Sequence, residues 1–279
     1  MVKKRWIRKF LNNKSAIIGA ILTLLIVLMA VASPILTPYD PIEVFQGVPF
    51  NPPDGQHFFG TDNLGRDLFS RIIYGAQVSL AVALGVTGIS LCVGVILGLL
   101  AGYYQGKLEQ SIMFVMDTIL SFPTLIFAMA IAAMLGAGLV TVIVAVGVVS
   151  IPQFARLTRA QVMMIREEEF VISARAAGAN DIRILYNHIL PNIFSPLIVQ
   201  GSFTAAQAVL YEASLSFLGV GVPAPTPAWG SMLKEGYAYM SIAPWLSVIP
   251  GIAIVIAILG FNLLGDALRD SLDVNLTDK

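Results

Sequence analysis

The sequence predicts an all-α integral membrane protein with six spanning helices, and three observations carry that prediction. Hydrophobic residues make up 57% of the 279-residue chain and charged residues 12%, with a mean hydropathy of +0.80, whereas soluble domains carry about 25% charged residues. The apolar residues fall into runs of the ~20 residues that a spanning helix needs. Lys and Arg collect between alternate runs. A formal net charge of zero gives no overall basic signal for nucleic acid. Cys92 is the single cysteine, which excludes an intrachain disulfide, and no Cys/His cluster has metal-ligand spacing.

The first run, Ala16–Leu36, ends at Thr37-Pro38-Tyr39-Asp40-Pro41. It starts from a basic cluster, but its length exceeds the 7–15 residues of a signal-peptide apolar region, which predicts a retained anchor. A segment at 37–75 follows, with Pro38, Pro41, Pro49, Pro52 and Pro53. There Leu64, Leu68 and Ile72 alternate with Arg66, Asp67 and Arg71 at helical spacing, which predicts an amphipathic helix on the outer surface leading into the second span. The second run covers Ala76–Gly102 and the third Ile112–Leu135, with Gly136 and Gly138 marking the turn into the fourth, Leu139–Phe154. The fifth is Ile193–Val220 and the sixth Ile242–Leu264. Between the last two, Pro223, Pro225 and Pro227 forbid a helix and favour a stiff extended chain, with Trp229 at the outer interface. The chain therefore divides into residues 1–75, holding the tail, the first span and the outer segment, and residues 76–279, holding five spans and a polar loop at 155–192.

Six spans put fourteen of the 17 Lys and Arg on one side, with only Arg66, Arg71 and Lys234 opposite. Lys3, Lys4, Arg5, Arg8, Lys9 and Lys14 precede the first span, and Arg156, Arg159, Arg166, Arg175 and Arg183 lie between the fourth and fifth. The positive-inside rule makes both termini and the 155–192 loop cytoplasmic in a multi-pass cell-membrane protein.

No catalytic set can be built. His57 and His188, the two histidines, fall on opposite sides of the membrane, and neither a Ser/His/Asp set nor HExxH occurs. Gly102–Lys107, GYYQGK, is one residue short of a phosphate loop and lacks the following Ser or Thr. The sequence reads as a non-enzyme whose energy comes from another chain. Asp117 and Glu212 are isolated intramembrane carboxylates at different depths, read as interhelical hydrogen-bonding or interfacial groups rather than a proton relay. Gly94, Gly98 and Gly102 recur every four residues and allow close approach of another helix. Gln200, Thr204, Gln207, Tyr211 and Ser214 form one polar stripe on the fifth span. That stripe serves either hydrogen bonding to neighbouring spans or the wall of a wet pathway.

The loop contains VISARAAGANDIRILYNHILPNI, residues 171–193. Val171–Ala177 favours a helix, Gly178 breaks it, and Asp181 caps a second helix with an apolar edge of Ile184, Leu185, His188 and Ile189, closed by Pro191. Such a pair is a docking surface or an amphipathic loop lying on the bilayer. The stretch resembles the cytoplasmic motif of ABC-importer permeases: Glu-Ala-Ala, three residues, Gly, nine residues, Ile-x-Leu-Pro. Gly178, the nine residues 179–187, and Leu190-Pro191 match it, while Ile172-Ser173-Ala174 stand at the Glu-Ala-Ala positions and His188 at the final Ile. FGTDNLGRD (59–67), EASLSFLGVGVPAPTPAWGSML (212–233) and NLLGDALRDSLD (262–273) resemble the second permease of the dipeptide, oligopeptide and nickel importer family.

The resemblance implies a type I ABC importer transmembrane domain. Ala174, Ala177, Gly178, Asp181, Ile184, Leu185, His188, Leu190 and Pro191 would then form the ATPase-coupling loop. It also implies a second, non-identical permease, one or two kinds of ATPase subunit that bind ATP and Mg while this chain holds no cofactor, and an extracytoplasmic binding protein. Peptides are the expected substrate. Nickel or a metal chelate is the alternative within the family. An ion-coupled secondary transporter, the alternative from another class, would need coupling-ion groups within the spans, and an intramembrane hydrolase would need a buried nucleophile–base pair.

Overall fold

The apolar runs become long helices whose ends are set by local capping. The computed structural model of the chain describes residues 13–272. Lys3, Lys4, Arg5, Arg8, Lys9 and Lys279 lie outside the described residues. Helix α1, Lys14–Val31, opens on Asn13, whose side chain accepts from the backbone N–H of Ser15 and Ala16, and a single turn, α2, Ser33–Leu36, follows. Helix α3 spans Leu68–Tyr104 and is capped by Asp67. Then come α4, Gly106–Leu120, α5, Thr124–Leu135, and α6, Leu139–Ile165. Two short pieces, α7, Glu169–Ala176, and α8, Asp181–Ile184, lead through a π turn, Leu185–Ile189, into α9, Leu190–Leu218. The chain continues through α10, Trp229–Tyr237, to α11, Trp245–Leu272.

Among the described residues, five helices are long and apolar enough to cross a membrane, and α4 with α5 makes a sixth crossing only as a broken pair bent by 91°. The third span, expected at Ile112–Leu135, is broken between Leu120 and Thr124. Pro123 lacks the N–H that would continue α4, and α4 carries Glu109, Gln110 and Asp117 along one face. Its partner α5 has 12 residues, a length of about 18 Å, short of a full bilayer core. Other boundaries also move. Helix α6 absorbs Arg156 and Arg159, so the polar connection is 166–189 rather than 155–192. Pro191 begins α9 rather than closing the preceding piece.

The crossings place Lys14, Lys107, Arg156, Arg159, Arg166, Arg175, Arg183 and Arg269 at one end of the molecule. Asn13 and Asp270 hydrogen-bond there at 3.3 Å, so the described chain starts and finishes at this Arg-rich end. Arg66, Arg71 and Lys234 occupy the opposite end.

At that opposite end the predicted amphipathic surface helix does not form. Leu68 already belongs to α3, and Arg66, Asp67 and Arg71 are buried, at 3%, 0% and 1% exposure. Arg66 donates to Asp62 at 2.6 Å and to Glu235 at 3.1 Å. Arg71 lies 3.6 Å from Asp62 and donates to the Pro41 carbonyl at 2.9 Å. His57 Nδ1 sits 2.9 Å from Asp67 Oδ1. Burial of charge requires such partners, and several come from distant parts of the chain. In the turn before His57, Asp54 titrates below the usual carboxylate range. Its carboxylate accepts the backbone N–H groups of His57 and Gln56 and the Asn51 amide.

Trp229 is likewise not at an interface. It is fully buried, in a slot opened by Gly75, where a Cβ would lie 2.5 Å from the indole nitrogen. Its Nε1 donates to the Ile72 carbonyl at 2.9 Å. Trp229→Phe is expected to cost about 1 kcal/mol, read as a melting temperature lowered by about 2–4 °C in detergent. The connection before it is non-helical, as the three prolines require, but runs through turns at 219–226 rather than as one extended strand.

Helix α3 is the axis of the core. Its first half packs with Ala205, Val209, Trp229, Met232, Leu246 and Phe261. Its last turns pack with Phe154, Val162, Val171, Ile184, Ile189 and Ile193, which seats the 166–189 segment on the spans.

Candidate functional site

The 166–189 segment is two short helices joined by a tight left-handed turn. Glu169–Ala176 ends where Gly178 adopts φ +83°, and the N–H groups of Gly178 and Ala179 donate to the carbonyls of Arg175 and Ala174 at 3.0 and 3.1 Å. This is a glycine helix end. Ala174 is half-buried, and Ala177 and Gly178 are exposed. Asn180, not Asp181, caps α8, accepting the Arg183 N–H at 2.9 Å. Asp181 is instead free to accept the Tyr103 hydroxyl at 2.7 Å. The π turn has a physical cause. Pro191 cannot donate, and its ring would crowd the carbonyl of Asn187 in a regular helix. The turn widens ahead of it and closes on Leu190 N–H donating to Leu185 O.

The predicted apolar edge faces the chain's own helices. Ile184 and Ile189 are fully buried against the chain's own helices, while Leu185, His188 and Leu190 are half-buried. The burial of Val171, Ile193 and Phe154 beside them turns that edge inward. The free face instead carries Ile182 and Tyr186, at 75% and 71% exposure, with Ile172 at 52%. The i, i+4 spacing of Ile182 and Tyr186 was the available signal for this second edge.

The polar stripe of α9 splits. Gln200 donates to Gln153 of α6 at 3.1 Å and to Thr204 at 3.3 Å, and Thr204 is buried. Gln207 is exposed. Tyr211 packs beside Val82, Val142 and Leu215, and Ser214 bonds its own helix at Leu210 O, 2.8 Å. Only Gln200, Thr204 and the unanticipated Gln153 form a cluster. Gly94, Gly98 and Gly102 face Phe154, Thr158 and Val162 of α6, where an added Cβ would come within 2.5–2.7 Å of each Cβ.

Glu212 is fully buried and accepts from Ser216 at 2.7 Å, while Ser216 Oγ accepts the Val222 N–H at 3.1 Å. This chain of bonds ties the turn after α9 back onto the helix. Asp117, on α4, accepts from Arg156 at 2.5 Å, and Glu109 accepts from Arg159. GYYQGK forms a helix-to-helix corner, with Gln105 and Gly106 at φ +53° and +61°.

A six-crossing helical fold with a two-helix polar connection between its fourth and fifth crossings is that of a type I ABC importer transmembrane subunit. A solved chain of the MetNI methionine ABC transporter, in an inward-facing conformation, superposes with a TM-score of 0.62 at 19% identity, covering 73% of this chain and 97% of that one. Residues 94–277 match the binding-protein-dependent transport system inner membrane component family, and residues 4–53 match the N-terminal TM domain of oligopeptide transport permease C.

The chain belongs to that binding-protein-dependent family of ABC importer permeases, in its peptide-transport branch. The di/tripeptide transport system permease protein DppC of Pseudomonas aeruginosa is 44% identical, over 99% of this chain and 92% of its own length. The dipeptide transport system permease protein DppC of Alkalihalophilus pseudofirmus is 43% identical over 94% and 86%. The glutathione transport system permease protein GsiD of Escherichia coli is 43% identical over 95% and 88%. The protein is thus a multi-pass membrane transport subunit of a family that works with ATPase and binding-protein partners.

Proposed function

We propose that this chain is the second permease of an ATP-driven importer of di- and oligopeptides, paired with a non-identical permease to enclose the path. Near-full-length similarity at 43–44% identity to permeases named for dipeptides and di/tripeptides carries the reading, and favours peptides over nickel. The Arg-rich end lies in the cytoplasm, supported by eight basic residues against three among the described residues. One or two ATPase subunits, which hold ATP and Mg, dock there on the face of Ile172, Ile182 and Tyr186 beside Ala174, Ala177 and Gly178. The binding protein meets the opposite end, at 37–67 and the turns before Trp229. Closure of the ATPases pushes the 166–189 segment. That segment continues into α6 and α9, so the push rotates Gln153, Gln200, Thr204 and Gln207 about the path.

The test is reconstitution of the whole transporter in proteoliposomes with labelled dipeptide outside the binding-protein face. Dipeptide uptake is expected to require ATP and active ATPases. Uptake that persists with the ATPases inactivated would sink the reading, and ATP-driven uptake of Ni²⁺ without dipeptide would transfer it to the metal alternative.

A further inference from the structure

Tyr103 is the one residue of α3 on which three successive parts of the 166–189 segment converge. Its hydroxyl donates to Asp181 Oδ1 at 2.7 Å and accepts from Arg175 Nη2 at 3.4 Å. The Arg175 guanidinium carbon lies 5.6 Å from the centre of its ring. Its backbone carbonyl accepts from Arg166 Nη1 at 3.2 Å. Arg166 ends α6, Arg175 lies in the last turn of α7 and Asp181 begins α8. These contacts bridge 63 to 78 residues of chain, and α3 does not adjoin the segment directly as α6 and α9 do.

We infer that Tyr103 is a positioning residue that carries movement of the 166–189 segment into α3, a route separate from the covalent links to α6 and α9. Two features support a transmitting role over simple packing. Tyr103 is 8% exposed and already shares an apolar cluster with Val171, Ile184 and Ile189. That burial holds the segment beside α3, and the hydroxyl contacts to Asp181 and Arg175 fix its local geometry there. Helices α3 and α6 also interlock at Gly94, Gly98 and Gly102, where the backbone of α6 lies within 2.9 Å of an added Cβ. A push delivered at Tyr103 therefore moves α3 and α6 as one body, with Gln153 on it, against α9. Charge-assisted bonds such as Asp181 with the phenol are strong and geometrically selective, which suits a contact that must hold during a stroke.

The inference rests on the proposed docking of ATPases at this end. Tyr103→Phe keeps the ring and removes only the hydroxyl. In the reconstituted transporter it is expected to leave ATP hydrolysis within about twofold, and to lower peptide moved per ATP by about tenfold, the fold-change of one charge-assisted hydrogen bond. Asp181→Asn should lower the same ratio, and the double variant should be no worse than either single one. An unchanged ratio in Tyr103→Phe overturns the inference. Hydrolysis and uptake falling in parallel, with a lower melting temperature, also overturns it, because that is the signature of packing alone. If the unmodified transporter shows no ATP-dependent peptide uptake, the proposed function fails instead. The Tyr103 link is then judged on the isolated chain, where Tyr103→Phe should speed amide exchange at 168–184 about tenfold; unchanged exchange overturns it.

Discussion

Gly98→Leu is expected to abolish recovery of the folded chain. A Cβ at this position would lie 2.5 Å from Thr158 Cβ and 2.6 Å from the Ala155 carbonyl oxygen, distances that real side chains do not adopt. The obstacle is backbone as well as side chain, so α6 cannot yield by changing a rotamer. Overpacking a tight core commonly costs about 1–3 kcal/mol, and a whole isobutyl group against a helix backbone exceeds that range. Because helices in lipid associate mainly through close packing rather than exclusion from water, wedging α3 from α6 removes the main contribution that holds them together. Size-exclusion profiles in mild detergent should show loss of the monodisperse peak. Gly88→Leu, on the same helix with open space around its Cβ, should leave the peak intact. A normal profile for Gly98→Leu would contradict the packing described.

Gly178→Leu is expected to insert and fold normally yet lose at least about tenfold in ATP-dependent uptake, with hydrolysis retained. Here space is not the obstacle, since nothing lies within 4 Å of an added Cβ. The obstacle is φ +83°, a left-handed conformation that costs a branched L-residue about 1–2 kcal/mol. The chain can relieve that strain by straightening the turn. Straightening would break the bonds from Gly178 and Ala179 to Arg175 and Ala174 and swing α7 relative to α8. Ile172 and Ile182 would then no longer share one face. Gly178→Asn tolerates left-handed backbone better and should retain most uptake. Transport by Gly178→Leu within twofold of the unmodified protein would remove this segment from the coupling pathway.

The sequence by itself determined what depends on neighbours along the chain. Runs of about 20 apolar residues located five of the crossings, because span length is set by bilayer thickness. Alternation of Lys and Arg sorted the polar connections to two ends. The Gly178 break and the Leu190-Pro191 pair marked the segment at 166–191, since both act through local backbone chemistry.

Tertiary structure alone decided what depends on residues far apart. Arg66 and Arg71 looked like the wet face of a surface helix until Asp62, Glu235 and the Pro41 carbonyl came within bonding distance. Trp229 went inside because Gly75, 154 positions earlier, left room for it. Ile184 and Ile189 pointed inward, and Ile182 and Tyr186 outward, because Tyr103, Phe154 and Ile193 supplied the apolar partners. A 3.6-residue period shows that a helix has two faces. It holds no information about which face meets its own chain, because that depends on the packing of the other spans.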